Sequence, residues 1–230
     1  MIFAITGPHL NRKQIGSKMK LNRRSFIGSS VVAAGTLFVP RTFVDQSAAQ
    51  AMAPLSAESG GTNSPAVIDW ALAALDRHSA RITNRDRIGI ADFSAPSGDF
   101  RFHIVDVASG TITHSLLVAH GKGSDPTNSG MAKRFSNLPG SNASSLGSFM
   151  TGDEYFGKHG RSRRLHGLDD QNSLAYERAI VIHGARYVDS AMAKRQGRVG
   201  RSFGCFAFEQ DKIDQVLDLL GPGQLLFASS

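Results

Sequence analysis

The 230-residue chain contains one cysteine, Cys205, and one tryptophan. A single cysteine forms no internal disulfide, and in an exported protein it either pairs between molecules or stays a free thiol with a role of its own. A lone buried cysteine in other settings is usually an inert, small apolar residue. The function of Cys205 therefore depends on the compartment of the protein and on which histidine reaches the thiol.

The chain also lacks an apolar run of membrane-spanning length near its N-terminus. The run at 26–39 is fourteen residues long and contains glycines and serines, whereas a spanning helix needs about 20 predominantly apolar residues. Arg23 and Arg24 precede this run, and Ala49-Gln50-Ala51 follows it as a small-residue cleavage site. Residues 1–51 are therefore predicted to be a twin-arginine export signal for the periplasm or cell envelope, with no stable membrane span in the mature form. An uncleaved N-terminal anchor is the alternative.

The chain also has almost no net charge outside this predicted signal. The formal net charge of +7 includes seven of the 26 basic residues and one of the 19 acidic residues within 1–51, which leaves 19 basic and 18 acidic residues and a net charge of +1. A nucleic-acid partner would require a basic patch in the folded domain, so none is expected. The ~180 residues that remain suit one domain with a single core, and we expect a monomer.

The residue pattern predicts a mainly β domain with a few peripheral helices. After a polar linker at 52–64, Ser64-Pro65 is typical of a helix start, and the apolar stripe that follows predicts a helix over 65–82 that packs on the domain. Trp70 lies off that stripe and is expected to pack. Alternating residues predict a hairpin between 100–107 and 111–119, and 179–185 is a short apolar strand. The Gly/Ser-rich segment 121–148 is interpreted as a binding loop or an irregular connection, and a late helix from Ile213 precedes a final strand, QLLFA.

His183 is the histidine best suited to serve Cys205. A cysteine nucleophile needs a base that generates the thiolate, and donors for the oxyanion that forms on attack at a carbonyl. The strand at 179–182 delivers His183 to a strand end, with Gly184 behind it. A residue at such a terminus is held rigidly and can still face a cleft, whereas His120, His159 and His166 lie in glycine-rich segments.

Five ordered blocks that accompany the cysteine box resemble the L,D-transpeptidase catalytic domain family, in particular its murein L,D-transpeptidase branch. The resemblance covers 88–227, and its blocks are FSN (135–137), SSLG (144–147), YFGKHG (155–160), LHGL (165–168) and AIVIHGARYV (179–188), followed by GRSFGC (200–205). It implies that 83–230 forms a catalytic domain with a β-sandwich or barrel-like fold.

The same resemblance implies a reaction on peptidoglycan stem peptides. Cys205 would be the nucleophile and His183 its base, and the thiolate would attack the carbonyl between the third and fourth residues of a donor stem. An acceptor amine or water would then resolve the thioester, which implies transpeptidase activity with a possible L,D-carboxypeptidase activity. No metal or other cofactor is required by this mechanism. We also expect the thiol to be activated at neutral pH.

The remaining site residues also follow from the matching blocks. The backbone amides of Gly204 and Cys205 would form the oxyanion hole, and Arg201 would bind a carboxylate. Ser202, Gly184, His166 and Ser145 complete the expected substrate-binding set. The chain departs from common family members at Phe203 and Phe206, so the group that orients His183 is either Arg201 or a backbone carbonyl.

Three alternatives remain at this stage. A non-catalytic peptidoglycan-binding module would keep the loops and leave Cys205 as filler. A zinc carboxypeptidase would need His and carboxylate ligands at short spacing, for which His166 and Asp169 are the candidates. A cysteine endopeptidase or amidase usually has its cysteine before its histidine, whereas this chain has His183 before Cys205.

Overall fold

The computed structural model describes residues 65–230, so the predicted signal and linker lie outside the described residues. Strands predominate in this part of the chain, which confirms the prediction of a mainly β fold with a few helices. A 3₁₀ turn spans Asp170–Asn172, and the remaining elements are α1 (Pro65–Arg77), β1 (Arg87–Asp92), β2 (Phe102–Asp106), β3 (Thr111–Leu116), β4 (Gly147–Gly157), β5 (Gly160–Gly167), β6 (Val181–Gly184), α2 (Ser190–Gln196), β7 (Phe206–Phe208), α3 (Ile213–Leu219) and β8 (Leu225–Ser229). No helix within 65–230 has both the length and the apolar character needed to cross a bilayer.

Helix α1 begins at Pro65, as predicted, but ends at Arg77 rather than at residue 82. Its predicted stripe packs on the sheet: Val67, Ala71 and Leu75 are buried in a cluster that includes Ile88 of β1. The expectation for Trp70 is wrong, because its side chain is 54% exposed. The spacing of the apolar residues predicted the buried face of α1 correctly, and Trp70 lies on the opposite, exposed face.

The eight strands form one mixed sheet in the order β3-β2-β1-β8-β4-β5-β6-β7. Strand β1 pairs in parallel with β8, and β6 pairs in parallel with β7, where His183 lies opposite Ala207. The two edges of the sheet approach each other, because the amide of Ala119, just beyond β3, donates to the carbonyl of Ala207 in β7 at 2.9 Å. The sheet therefore curls toward closure, in agreement with the barrel-like fold that was expected.

The core is aromatic where the sheet curls around it. Phe93, Phe102, Phe149, Phe206 and Phe208 are fully buried in one cluster. Phe206 stacks on Phe93 with ring centroids 5.9 Å apart and meets Phe149 edge to face. Since Phe206 and Phe208 flank Ala207 in the strand that directly follows Cys205, packing on both sides of the sheet holds the segment after the thiol in place.

The hairpin predicted from 100–119 is present as β2 and β3, and the segment between β3 and β4 is largely irregular, as expected. The sequence reading missed the longest hairpin, β4 with β5, in which Gly157 pairs with Gly160 and the turn consists of Lys158 and His159. Many residues of this hairpin are charged, polar or glycine, so its alternation of apolar residues is weak.

Candidate active site

Cys205 immediately precedes β7, next to the parallel strand β6 that carries His183. The turn into β7 requires glycine before the cysteine. Gly204 has φ of 119°, and a Cβ there would lie 2.7 Å from the carbonyl oxygen of Ala143. The glycine therefore lets the segment at 143 approach the backbone at the thiol closely.

A cavity of about 350 Å³ contains both Cys205 and His183. The residues that line it are Tyr155, Lys158, His159, Arg178, Ala179, Val181, His183, Tyr187, Arg201, Phe203 and Cys205. A larger and more open groove of about 780 Å³ beside α1 includes Trp70 and Asp169 but none of the predicted site residues. We assign the candidate site to the smaller cavity because it brings a thiol and an imidazole together.

His183 is 2% exposed, and its orientation is set by a backbone carbonyl. The ring nitrogen Nδ1 lies 2.9 Å from the carbonyl oxygen of Gly184, so Nδ1 carries the proton and Nε2 has the free lone pair. Of the two orienting groups considered from the sequence, the structure provides the carbonyl. The imidazole also stacks on His159, with ring centroids 4.2 Å apart.

The pKa of His183 is lowered to about 4, chiefly because burial disfavours the charged ring. The charges of His159 and Lys158 lower this pKa further, while the hydrogen bond to Gly184 opposes the shift. His183 is therefore neutral at pH 7 and can accept a proton at Nε2.

The Cys205 thiol is also neutral at rest. Burial raises its pKa above the ordinary value, against smaller lowering effects from the Val181 amide and from the charges of Lys158 and Arg178. Sγ donates to the carbonyl of Ala179 at 3.6 Å, and Ala179 adopts a left-handed backbone conformation with φ of 54°. These directions oppose the expectation of a thiol that is ionised at neutral pH. The sequence could not reveal the difference, because the burial of Cys205 depends on tertiary packing.

Arg178 lies beside the thiol and was missed by the sequence analysis. Its guanidinium donates to the carbonyls of Ser136 and Ala143 and to the hydroxyls of Ser145 and Ser141. An ideal Cβ on Gly204 would lie 3.3 Å from one of its terminal nitrogens. Arg178 thus ties the irregular segment before β4 to the cysteine turn and carries a fixed positive charge there. The sequence signal was present, since Arg178 directly precedes the matching AIVIHG block.

Ser202 braces the turn that contains the nucleophile. Its hydroxyl donates to the carbonyl of Cys205 at 2.7 Å and accepts from the amide of Gly204 at 3.1 Å. The amide of Gly204 is therefore already hydrogen-bonded to this hydroxyl in the resting structure. Of the two amides expected to form the oxyanion hole, that of Cys205 is the one left for the role.

The other predicted residues occupy three kinds of position. Arg201 lines the cavity and donates to the main-chain carbonyl of Asp125. Gly184 and Ser145 do not line the cavity but contact residues that do. The carbonyl of Gly184 accepts from His183, and the hydroxyl of Ser145 accepts from Arg178. His166 lies outside the cavity, because it extends from β5 and stacks on Tyr176 with ring centroids 4.9 Å apart.

The proposed zinc ligands are occupied by other contacts. One oxygen of Asp169 lies 3.0 Å from Nε2 of His78, and the other accepts from the amide of Ser148 at 2.6 Å. Residues 65–230 contain no cluster of three or more His, Cys, Asp or Glu side chains suited to a metal ion. His166 and Asp169 therefore do not form the ligand set that the carboxypeptidase alternative requires.

A family profile described as the L,D-transpeptidase catalytic domain matches residues 60–229. The chain belongs to the L,D-transpeptidase catalytic domain family. This match confirms the resemblance that the sequence blocks indicated. No curated protein matched the chain.

Solved structures of L,D-transpeptidases are similar to this member of the family at low identity. One is L,D-transpeptidase 3 from Mycobacterium tuberculosis with a faropenem-derived adduct: 10% identity, TM-score 0.40, 63% of this chain and 60% of that chain. Another is an L,D-transpeptidase from Mycobacterium smegmatis, with 13% identity and a TM-score of 0.39. The match covers 63% of this chain and 59% of that chain. A third is an L,D-transpeptidase from Xylanimonas cellulosilytica, with 14% identity and a TM-score of 0.37. The match covers 69% of this chain and 68% of that chain. The chain covers about three fifths of the two mycobacterial proteins. At such values the likeness assigns no role to any residue of this chain.

Proposed function

We propose that this chain is an exported cysteine enzyme that acts on peptidoglycan stem peptides as an L,D-transpeptidase. The observation that carries the proposal is the shared cavity of Cys205 and His183, in which Nδ1 of the imidazole is bound to Gly184 and Nε2 is free to take a proton. Membership of the L,D-transpeptidase catalytic domain family supports the substrate class. The export route rests on Arg23 and Arg24 and the apolar run that follows them.

Acylation begins from a neutral thiol and a neutral imidazole. Nε2 of His183 takes the Sγ proton as Sγ attacks the carbonyl carbon of the scissile peptide bond, so charge develops together with bond formation. The carbonyl oxygen becomes an oxyanion, and the amide of Cys205 donates a hydrogen bond to it. When the intermediate collapses, the C–N bond breaks, and the imidazolium returns its proton to the departing amine.

Deacylation repeats these steps with an acceptor. An amine from a neighbouring stem loses a proton to His183, attacks the thioester carbonyl and displaces the Cys205 thiolate, which is then reprotonated. Water in place of the amine gives the L,D-carboxypeptidase reaction. The fixed charge of Arg178 stabilises the thiolate in both halves of the cycle, since its influence lowers the pKa of Cys205.

The non-catalytic alternative is less well supported by the geometry. A filler cysteine would pack in the apolar core, whereas Cys205 is only partly buried and lines a cavity with His183. Mass spectrometry of defined muropeptides tests the choice. The unaltered protein should form a thioester on Cys205 and release products, and Cys205→Ala should abolish both while the protein stays folded.

Cys205→Ser is the matched variant for this test, because it keeps the shape of the side chain with a weaker nucleophile. EDTA should leave turnover unchanged, since every step described uses protein groups. Product formation by Cys205→Ala would disprove the cysteine mechanism, and loss of activity on chelation with recovery on added zinc would favour a metal-dependent carboxypeptidase.

A further inference from the structure

The cavity at Cys205 is lined by cationic side chains. Lys158, Arg178 and Arg201 are among its lining residues, and none of the described residues that line it is Asp or Glu. Three positive charges without a carboxylate favour an anionic ligand, because complementary charge both steers the encounter and orients the bound molecule. The three cations nevertheless have different environments, which separates their roles.

Arg178 is committed to the protein. Its two terminal nitrogens donate to four acceptors on the segment at 136–145, so few donors remain for a ligand. Arg201 makes one hydrogen bond, to the carbonyl of Asp125, which leaves most of its five N–H donors available. Within residues 65–230 no hydrogen bond or ion pair joins Lys158 to another residue, so its ammonium is available to a ligand in the cavity that it lines.

Lys158 is held close to both reacting groups by the turn of the β4–β5 hairpin. Its neighbour His159 stacks on His183 at 4.2 Å between ring centroids, which fixes the tip of the hairpin against the base. The charge of Lys158 lowers the pKa of both His183 and Cys205. Arg201, by contrast, lies on the cysteine segment and donates to the carbonyl of Asp125. Lys158 is therefore the available cation on the His183 side of the cavity.

The chemistry decides which part of the substrate occupies that side. The base that removes the thiol proton must return it to the departing amine, so the leaving residue lies against His183. A leaving residue at the end of a stem peptide carries a free α-carboxylate a few atoms from that amine. The ammonium of Lys158 is the group that can pair with this carboxylate.

We propose that Lys158 binds the terminal carboxylate of the single residue that leaves, and that this side chain is the one through which the chain recognises a donor stem ending there. This proposal rests on the proposed function, since it uses His183 as the proton carrier. A stem with a terminal carboxamide, or one extended by a further residue, is a poor donor because neither places a carboxylate at Lys158.

Equilibrium binding in the Cys205→Ala background tests Lys158 without turnover. The ligands are a stem tetrapeptide with a free terminal carboxylate and the same peptide with a terminal carboxamide. The acid should bind about 10-fold more tightly than the amide, as expected for a hydrogen bond to a charged group. Lys158→Met should remove this preference by weakening only the acid, and Lys158→Arg should retain most of it.

Lys194→Met is the control, because Lys194 is an exposed lysine of α2 outside the cavity. It should leave the ratio of the two affinities unchanged. If Lys158→Met preserves the ratio, or weakens acid and amide alike, Lys158 does not recognise the carboxylate and the inference is wrong.

The thioester assay separates this failure from a failure of the proposed function. With Cys205 present, the unaltered protein should be acylated faster by the acid than by the amide, and Lys158→Met should equalise the two rates. If neither peptide acylates Cys205, the enzymatic proposal fails, and the binding ratios still decide whether Lys158 reads the carboxylate.

Discussion

At the scale of single residues, one hydrogen bond determines what His183 can do. Because Nδ1 donates to the carbonyl of Gly184, Nε2 is the only nitrogen that can exchange a proton with Cys205. Burial lowers the pKa of this imidazole to about 4, so the free base persists well below the ordinary pKa of histidine. The resting site is thus a neutral pair that becomes charged only during the reaction.

The first prediction concerns the acid limb of acylation. Protonation of His183 removes the base, so the acylation rate of Cys205 should fall as pH decreases through about 4, where this imidazole titrates. His183→Gln should lower the rate by about 10²–10⁴-fold. Stopped-flow or quenched thioester formation gives the profile. His166 lies outside the cavity, so His166→Ala should leave the decrease of the acylation rate at low pH unchanged. A limb near pH 6.5, the value of an ordinary histidine, would contradict this account of the base.

A second prediction concerns the thiol itself. Since burial raises the pKa of Cys205, the thiolate fraction at pH 7 is smaller than in free cysteine, and alkylation by a small neutral reagent such as iodoacetamide should be slower. Unfolding in urea should restore the rate of free cysteine, which provides an internal control. Faster labelling of the folded protein than of free cysteine would instead support the activated thiol expected from the sequence.

The sequence could indicate Cys205, His183 and Arg201 because each belongs to a short local block. Arg178 adjoins such a block and Lys158 belongs to one, but the blocks alone assign neither residue a role, because those roles depend on which strands become neighbours. Arg178 reaches the thiol only after β6 and β7 pair in parallel, and Lys158 only after the turn of β4 and β5 lies against His183. Such long-range contacts leave no spacing in the sequence.

At the scale of elements, the irregular segment before β4 depends on Arg178 for its position. Four hydrogen bonds join the guanidinium to Ser136, Ser141, Ala143 and Ser145. One side chain thus holds the segment in the way that backbone hydrogen bonds hold a strand. The carbonyl of Ala143 in turn faces Gly204. The shape of the segment and the position of the cysteine turn are therefore linked.

The third prediction tests this link. Arg178→Met leaves several acceptors without partners and should lower the free energy of unfolding by about 2 kcal/mol. Arg178→Lys keeps the charge without the planar donor set, so it should recover only part of the loss. Urea denaturation measures both variants. Arg186→Met is the control, because Arg186 is exposed and should change stability little. Equal stability of Arg178→Met and the unaltered protein would show that the segment holds its shape by other contacts.

Prediction of elements from the sequence worked where local patterns were strong. Strands β2 and β3, helix α3 and strand β8 follow alternation, helical spacing or a short apolar run. The β4–β5 hairpin was missed because its outer half is rich in charged residues and glycine, with Asp153, Glu154 and Lys158 exposed, so its apolar alternation is weak. Lys158 and His159 belong to the matching block at 155–160, but without this hairpin the sequence could not place them beside His183.

At the scale of the whole molecule, the site depends on how the sheet closes. Strand β8, the last in the chain, pairs with β1, the first, and the bridge from Ala119 to Ala207 joins the two sheet edges. His120 follows that bridge and is completely buried between Arg101 and Asp125. Strand order and closure involve residues far apart in the chain, so no local pattern predicts them.

The fourth prediction concerns the acid stability of this closed fold. Arg101 donates to Nδ1 of His120 at 2.7 Å, so protonation would break that bond and place two positive charges together. The pKa of His120 is lowered to about 4, chiefly by burial and then by the charge of Arg101, and that of His183 is also lowered to about 4.

In the unfolded chain both imidazoles titrate near 6.5, so between about pH 6.5 and 4 the unfolded state binds more protons than the folded state. The free energy of unfolding should therefore decrease as pH falls through this window, with a contribution on the order of 3 kcal/mol from each of these two histidines. Urea denaturation at pH values across the window measures the slope. His120→Asn, in which the amide oxygen can accept from Arg101, should make the slope shallower because one imidazole with a lowered pKa is gone, while those of His103, His159 and His183 remain. A stability that is independent of pH across the window would mean that these imidazoles titrate in the folded protein as they do in the unfolded chain, so His183 would lose its role as a base below about pH 6.5 rather than below about 4.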